Sequence, residues 1–234
     1  MKPTLIHSVV IASLGLAAPL ALGESMPPTA EEQKALTPKA VLDDLMAGNA
    51  RYVAETPEAS DVSDRIDAGT KGQWPMAYVL SCVDSRVPVE QVFDQGIGDV
   101  FVGRVAGNIE STEQLGSMEF ATAAAGSKLI FVLGHEACGA VKGACDGVKL
   151  GNLTDLLAEI QPAVDGVTGV EGDRSSKNKE FVDAVIEKNV QKTIADIRER
   201  SEVIADLEKK GSVMIVGGIY SLETGKVTLL ESDK

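Results

Sequence analysis

Two short apolar runs, about fifty residues apart, limit what this chain can become more than any other feature. Met76-Ala77-Tyr78-Val79-Leu80-Ser81 carries no charge and has the make-up of a strand buried on both faces. It stops at Cys82-Val83-Asp84-Ser85-Arg86. The second run, Lys128-Leu129-Ile130-Phe131-Val132-Leu133, stops at Gly134-His135-Glu136-Ala137-Cys138-Gly139. Two buried strands that end in Cys and in His-x-x-Cys fit one metal with three protein ligands and an open fourth position.

The surrounding chain alternates between helical and strand-like patterns. Thr29-Ala30-Glu31-Glu32 has capping-box spacing, and Thr37-Pro38 reads as an N-cap with proline at the first helical position. A polar loop is expected from Glu55 to Gly72, ahead of the first strand. Asp99 to Ala106 reads as a second strand that ends in the turn Gly107-Asn108. Ser111 caps a helix reaching about Ala125; Cys138 to Cys145 suits a short helix; Asn152 is expected to cap another to about Val164. Past an acidic loop from Asp165 to Lys179, Val182, Val185, Ile186, Val190, Ile194 and Ile197 share one helical face. Ser201 restarts the helix and Gly211 closes it. Val213–Tyr220 and Lys226–Leu230, joined through Glu223-Thr224-Gly225, form a hairpin. The pattern predicts an α/β fold: a mainly parallel central sheet of about four strands plus an antiparallel edge strand, flanked by helices, with an N-terminal helical arm. In such sheets functional residues gather beyond the carboxyl ends of the strands, where Cys82 and His135 fall.

The first 23 residues differ from the rest. Lys2 precedes a mostly apolar run from Leu5 to Leu22, and Ala21-Leu22-Gly23 supplies the small residues a signal peptidase needs. This predicts a secretory signal over 1–23, a single domain over 24–234, and export, most simply to a periplasm, with no stable membrane insertion after cleavage. Lys2 is the one charged residue in that segment, so the mature chain carries 21 basic against 35 acidic residues, a net −14. Such a balance argues against a nucleic-acid partner, which requires a basic surface. The signal also removes His7, which leaves His135 as the one histidine of the mature chain. Three cysteines, Cys82, Cys138 and Cys145, fit a disulfide framework badly and fit two metal thiolates with one thiol to spare.

Two thiolates and an imidazole are good zinc ligands, and three ligands mark a catalytic rather than a structural site. If the chain stays extended past Cys82, alternate residues project the same way, so Asp84 approaches the fourth position and Arg86 can hold its carboxylate in a bidentate pair. Singly, each element has a plainer explanation: a small buried thiol, a surface ion pair, a chance His-x-x-Cys. Together, around the sole mature histidine, they favour a site. An exported zinc-binding or thiol-redox protein with a Cys82–Cys138 disulfide is the alternative of a different class, and it leaves Asp84 and Arg86 without a purpose.

Cys82-Val83-Asp84-Ser85-Arg86-Val87 and Gly134-His135-Glu136-Ala137-Cys138-Gly139-Ala140-Val141 resemble the two signatures of β-class carbonic anhydrases. Gly48-Asn49-Ala50-Arg51-Tyr52, Phe101 to Asn108, and Gly217-Gly218-Ile219-Tyr220 with Thr224-Gly225-Lys226-Val227 extend the likeness over most of the mature chain. The resemblance implies one zinc per subunit on Cys82, His135 and Cys138, with Asp84 and Arg86 as an orienting dyad. It implies substrate contacts at Gln73, Phe101, Phe120 and Gly139. It further implies attack of zinc-bound hydroxide on carbon dioxide to give bicarbonate, in a homodimer or higher homo-oligomer with the pocket at a subunit interface. One subgroup has an inhibitory bicarbonate site with Trp where this chain has Val79 and Gly where it has Ser81, so the likeness is to the plant-like subgroup. Relatives on the same fold hydrolyse carbonyl sulfide or carbon disulfide, which stays open as an alternative substrate class.

Overall fold

The uncharged runs pair side by side, as segments with no face to offer water must. In the computed structural model, which describes residues 26–58 and 61–231, β1 (Ala77–Ser81), β2 (Val100–Arg104), β3 (Leu129–His135) and β4 (Met214–Tyr220) run parallel. A short strand, β5 (Val227–Leu229), returns antiparallel along β4, and the sheet order is β2-β1-β3-β4-β5. The expected fold class holds. The expected export signal lies outside the described residues. Among those described, no helix is long and apolar enough to cross a membrane.

Alternation along the two central strands sends side chains into two separate cores. Ala77, Val79, Leu129, Phe131 and Leu133 pack on one face against Val41, Leu45 and Phe93. Tyr78, Leu80, Ile130 and Val132 pack on the other against Met118, Val190 and Ile197. Every residue of β1 and β3 is buried, which explains why neither run shows a polar alternate.

The covering helices are α1 (Ala30–Ala35), α2 (Pro38–Val53), α3 (Val62–Gly69), α4 (Val89–Val92), α5 (Thr112–Glu119), α6 (Gly139–Cys145), α7 (Leu153–Gly166), α8 (Lys179–Arg200) and α9 (Glu202–Lys209). Most start where their caps predict. Thr29 and Glu32 form a reciprocal capping box on α1, and Thr37 accepts the Ala40 N–H ahead of Pro38. Ser111, Asn178 and Ser201 cap α5, α8 and α9 in the same way. The helix begun by α5 ends in a π-helical turn, Phe120–Ala124.

Two expectations need correction. The stretch expected as a loop from Glu55 to Gly72 contains α3. Asp61 caps it by accepting the N–H groups of Ser63 and Asp64, and its inward residue is Arg65, bound to Asp99 at 2.8 Å and to the Ile97 carbonyl at 3.1 Å. Val62 and Ile66 stay exposed, so this helix has no apolar stripe to reveal it. Asn152 precedes α7 but makes no side-chain cap bond; its own backbone is already helical there, where a capping residue is normally extended.

Asn49 ties the arm to the sheet. Buried within α2, it donates to the carbonyls of Val92 (3.0 Å) and Gly225 (2.9 Å) and accepts the Val227 N–H (2.8 Å). At roughly 1–3 kcal/mol per stranded buried group, Asn49→Leu is expected to lower unfolding free energy by at least ~2 kcal/mol in urea titration. A loss under ~1 kcal/mol would show that these bonds do not anchor the arm.

Candidate metal centre

The strand register assembles the site. β1 and β3 pair Ser81 with Leu133, so the next residue, Cys82, arrives level with Gly134 and one step short of His135. Past His135 the chain turns through Ala137 in the left-handed region (φ 52°), which costs about 1–2 kcal/mol for a residue with a Cβ. That turn brings Cys138 back as the residue preceding α6. The ligating atoms of Cys82, His135 and Cys138 all lie within 4.8 Å of one another, and all three residues are buried.

These three fit a zinc ion. The sulfurs of Cys82 and Cys138 stand 4.0 Å apart. Two zinc–sulfur bonds of about 2.3 Å at a tetrahedral angle place them ~3.8 Å apart. All three cysteines are free thiols. His135 is fully buried with Nδ1 2.9 Å from the Glu136 carbonyl. A carbonyl only accepts, so Nδ1 carries the hydrogen and Nε2 presents its lone pair. Nε2 is buried and has no hydrogen-bond partner among the described residues, as befits a nitrogen that takes a ligand.

Local charges favour a cation. The adjoining Cys138 thiol and the Gly107 N–H draw the Cys82 thiol well below its ordinary range. The same contact and its burial push the Cys138 thiol up, a cost that a bound cation relieves. Beside them, Asp84 receives Nε and Nη2 of Arg86 at 2.9 and 2.8 Å and the Arg86 backbone N–H at 2.9 Å. Arg86 thereby holds the Asp84 carboxyl far below the usual carboxylate range. The Asp84 Oδ2 lies 3.9 Å from His135 Nε2, so the carboxylate faces the ligand set.

A further residue shapes this loop. Arg104, at the end of β2, donates to the carbonyls of Cys82 (2.9 Å) and Asp84 (2.6 Å) and so fixes the segment that carries both. Sequence reading placed Arg104 in the second strand without a role. Its strand-end position, level with Ser81, was the available signal.

The other expected site residues are dispersed. Gly139 directly follows Cys138 as the first residue of α6, exposed and with open space where a side chain would stand. Phe101 pairs with Tyr78, four residues short of Cys82, and its ring meets Phe120 edge-on at 5.9 Å. Both rings line a cavity of about 580 Å³ whose wall includes Arg104, Tyr78 and Gln114. Gln73 precedes β1, at the end of the sheet opposite Cys82, and lines a cleft with Trp74, Pro27 and Ile97. Within one chain, then, Cys82, His135, Cys138, Asp84, Arg86 and Gly139 come together, while Gln73, Phe101 and Phe120 do not join them.

A parallel sheet with two thiolates, one imidazole and a clamped carboxylate at its carboxyl edge defines an α/β protein built around a metal site. The family model for carbonic anhydrase matches residues 77–227. Carbonic anhydrase 2 of Mycobacterium tuberculosis is 37% identical over 198 residues, covering 82% of this chain and 92% of that one. The carbonic anhydrase of Mycolicibacterium smegmatis is also 37% identical, covering 82% and 93%. Among solved structures, a tetrameric β-carbonic anhydrase of Sordaria macrospora is 26% identical with a TM-score of 0.61, covering 71% and 86%. A β-carbonic anhydrase of Aspergillus fumigatus shares the fold at 22% identity and a TM-score of 0.64, covering 84% and 91%. The chain belongs to the β-carbonic anhydrase family, whose enzymes use zinc.

Cys145 is half-buried on α6 and stands apart from the ligand group. Cys82→Ser is expected to abolish stoichiometric zinc in metal analysis of the purified protein, whereas Cys145→Ser retains it. Zinc loss in the Cys145 variant would mean that the wrong thiol has been assigned.

Proposed function

We propose that this enzyme catalyses the reversible hydration of carbon dioxide to bicarbonate and a proton, with Cys82, His135 and Cys138 holding one zinc per subunit and Asp84 and Arg86 orienting the reacting water. The carrying observation is the Asp84 carboxylate, clamped by Arg86 and facing the ligand set at 3.9 Å from His135 Nε2. Zinc held there supplies the Lewis acidity that activates water near neutral pH. Asp84 remains ionised under those conditions, so it accepts a hydrogen bond and donates none. An acceptor of fixed orientation selects which way a water molecule turns its lone pair, and Arg86 fixes that orientation with three N–H bonds.

The proton leaves by another route. His135 has one nitrogen committed to the Glu136 carbonyl and the other to the metal, so it cannot shuttle protons. With no second histidine past residue 23, external buffer is the acceptor.

The same reading places the enzyme outside the cytoplasm after removal of residues 1–23, as a homodimer or larger assembly. Gln73, Phe101 and Phe120 reach a zinc site only if a neighbouring subunit presents them. Support comes from Phe120, 55% exposed on the wall of the 580 Å³ cavity, and from the tetrameric relative. Val79 and Ser81 stand where the inhibitory bicarbonate site has Trp and Gly, which supports the absence of that site.

Stopped-flow assays of carbon dioxide hydration and carbonyl sulfide hydrolysis on one preparation test the substrate. Carbon dioxide is expected to be turned over far faster, with Asp84→Asn losing ~10²-fold or more. Faster carbonyl sulfide hydrolysis, or wild-type rates in Asp84→Asn, would contradict the proposal. Turnover is also expected to rise with buffer concentration; equal rates in dilute and concentrated buffer would contradict the proton route.

A further inference from the structure

The long helix α8 interrupts its own apolar face twice. Among Val185, Ile186, Val190 and Ile197 stand Asn189 and Thr193, four residues apart and 1% and 0% exposed. Burying an amide or a hydroxyl is costly unless it finds a partner. The Thr193 hydroxyl and the Asn189 amide nitrogen find theirs in the turn after β2, while Asn189 Oδ1 has none among the described residues. Asn189 Nδ2 donates to the Gly107 carbonyl at 2.8 Å, and Thr193 Oγ1 donates to the Asn108 carbonyl at 3.4 Å. Because a carbonyl must accept, the Asn189 amide is oriented with its nitrogen toward Gly107.

Gly107 in turn touches the metal centre. Its N–H donates to the Cys82 sulfur at 3.4 Å. Gly107 sits at φ +76°, and a Cβ there would lie 2.5 Å from Ile160 Cδ1, so no other residue fits this turn without displacement. Its N–H and C=O are joined only through its own φ and ψ. Anchoring the carbonyl therefore sets the direction of the amide.

We propose that Asn189 is a positioning residue of the metal centre: through the Gly107 backbone it aims an N–H at the Cys82 thiolate. An N–H directed at a metal thiolate stabilises the ionised sulfur and tempers the charge it gives to the metal, and partners of this kind hold the ligand in place. The proposal rests on the assignment of Cys82 as a zinc ligand. It gives the two polar interruptions of α8 separate roles. Asn189 acts on the residue that bonds Cys82, and Thr193 secures the residue after it.

The test replaces zinc with cadmium-113 in the full-length protein, since a soft thiolate site takes either ion, and records scalar coupling between backbone amide protons and the metal. In the wild-type protein the Gly107 amide proton is expected to couple to cadmium. Asn189→Leu removes the donor and keeps the bulk, and Asn189→Ala removes both, leaving no side-chain group able to donate to the Gly107 carbonyl. Both are expected to lose or weaken that coupling and to bind zinc ~10–100-fold more weakly in chelator competition. Thr193→Val is expected to keep the coupling and the affinity. An uncoupled Gly107 amide in the wild-type protein would overturn the proposal. So would Asn189→Ala with wild-type coupling and affinity, even if the leucine variant fails to fold. A protein that takes up no cadmium refutes the metal centre as well, and that failure is distinguishable from cadmium bound without coupling.

Discussion

The register between β1 and β3 is the constraint on which the site depends. Ser81 beside Leu133 sends Cys82 and His135 out of the same sheet edge one step apart. In a parallel pair this match cannot be made by a tight turn, so it is specified by the two cores above and below the strands. A slip of one residue would swap the faces of Tyr78, Val79 and Leu80 and move Cys82 by about 3.3 Å. Filling both faces with large side chains such as Phe131, Ile130 and Leu80 makes that slip prohibitive.

The chemistry requires that polar atoms be buried, and several of those around the ligands are secured by other residues. His135 Nδ1 is fixed by its neighbour's carbonyl, the Cys82 sulfur receives the Gly107 N–H, and Arg104 grips the backbone on both sides of Val83. Glu136, between His135 and Cys138, accepts from Ser221 and the Leu222 N–H and so joins the ligand turn to the β4–β5 hairpin. The asymmetry between Asp84 and Arg86 is of the same kind. The aspartate side chain is 15% exposed and the arginine 55%, so the carboxylate faces inward while its charge partner meets solvent.

Much of this was legible in the amino-acid sequence because it is local. The central strands are uncharged runs, the caps at Thr29, Thr37, Ser111 and Ser201 act within three residues, and the ligands end the strands that deliver them. What escaped is non-local. α3 hides because its inward residue is Arg65, partnered by Asp99 far along the chain, and periodicity of apolar residues does not register an ion pair. Asn152 misled because the residue type alone does not show whether the backbone before a helix is extended. The roles of Arg104 and Asn189 depend on partners 22 and 82 residues away. Gln73, Phe101 and Phe120 came from family likeness, and strand direction places Gln73 at the far edge of the sheet from Cys82.

Everything at that edge is arranged around a zinc ion held by two thiolates and one imidazole. Zinc K-edge absorption fine structure of the purified protein measures this first shell directly. Two sulfurs at about 2.3 Å and two lighter N or O neighbours at about 2.0–2.1 Å are expected. A shell of three sulfurs, or one without sulfur, would contradict that ligand set.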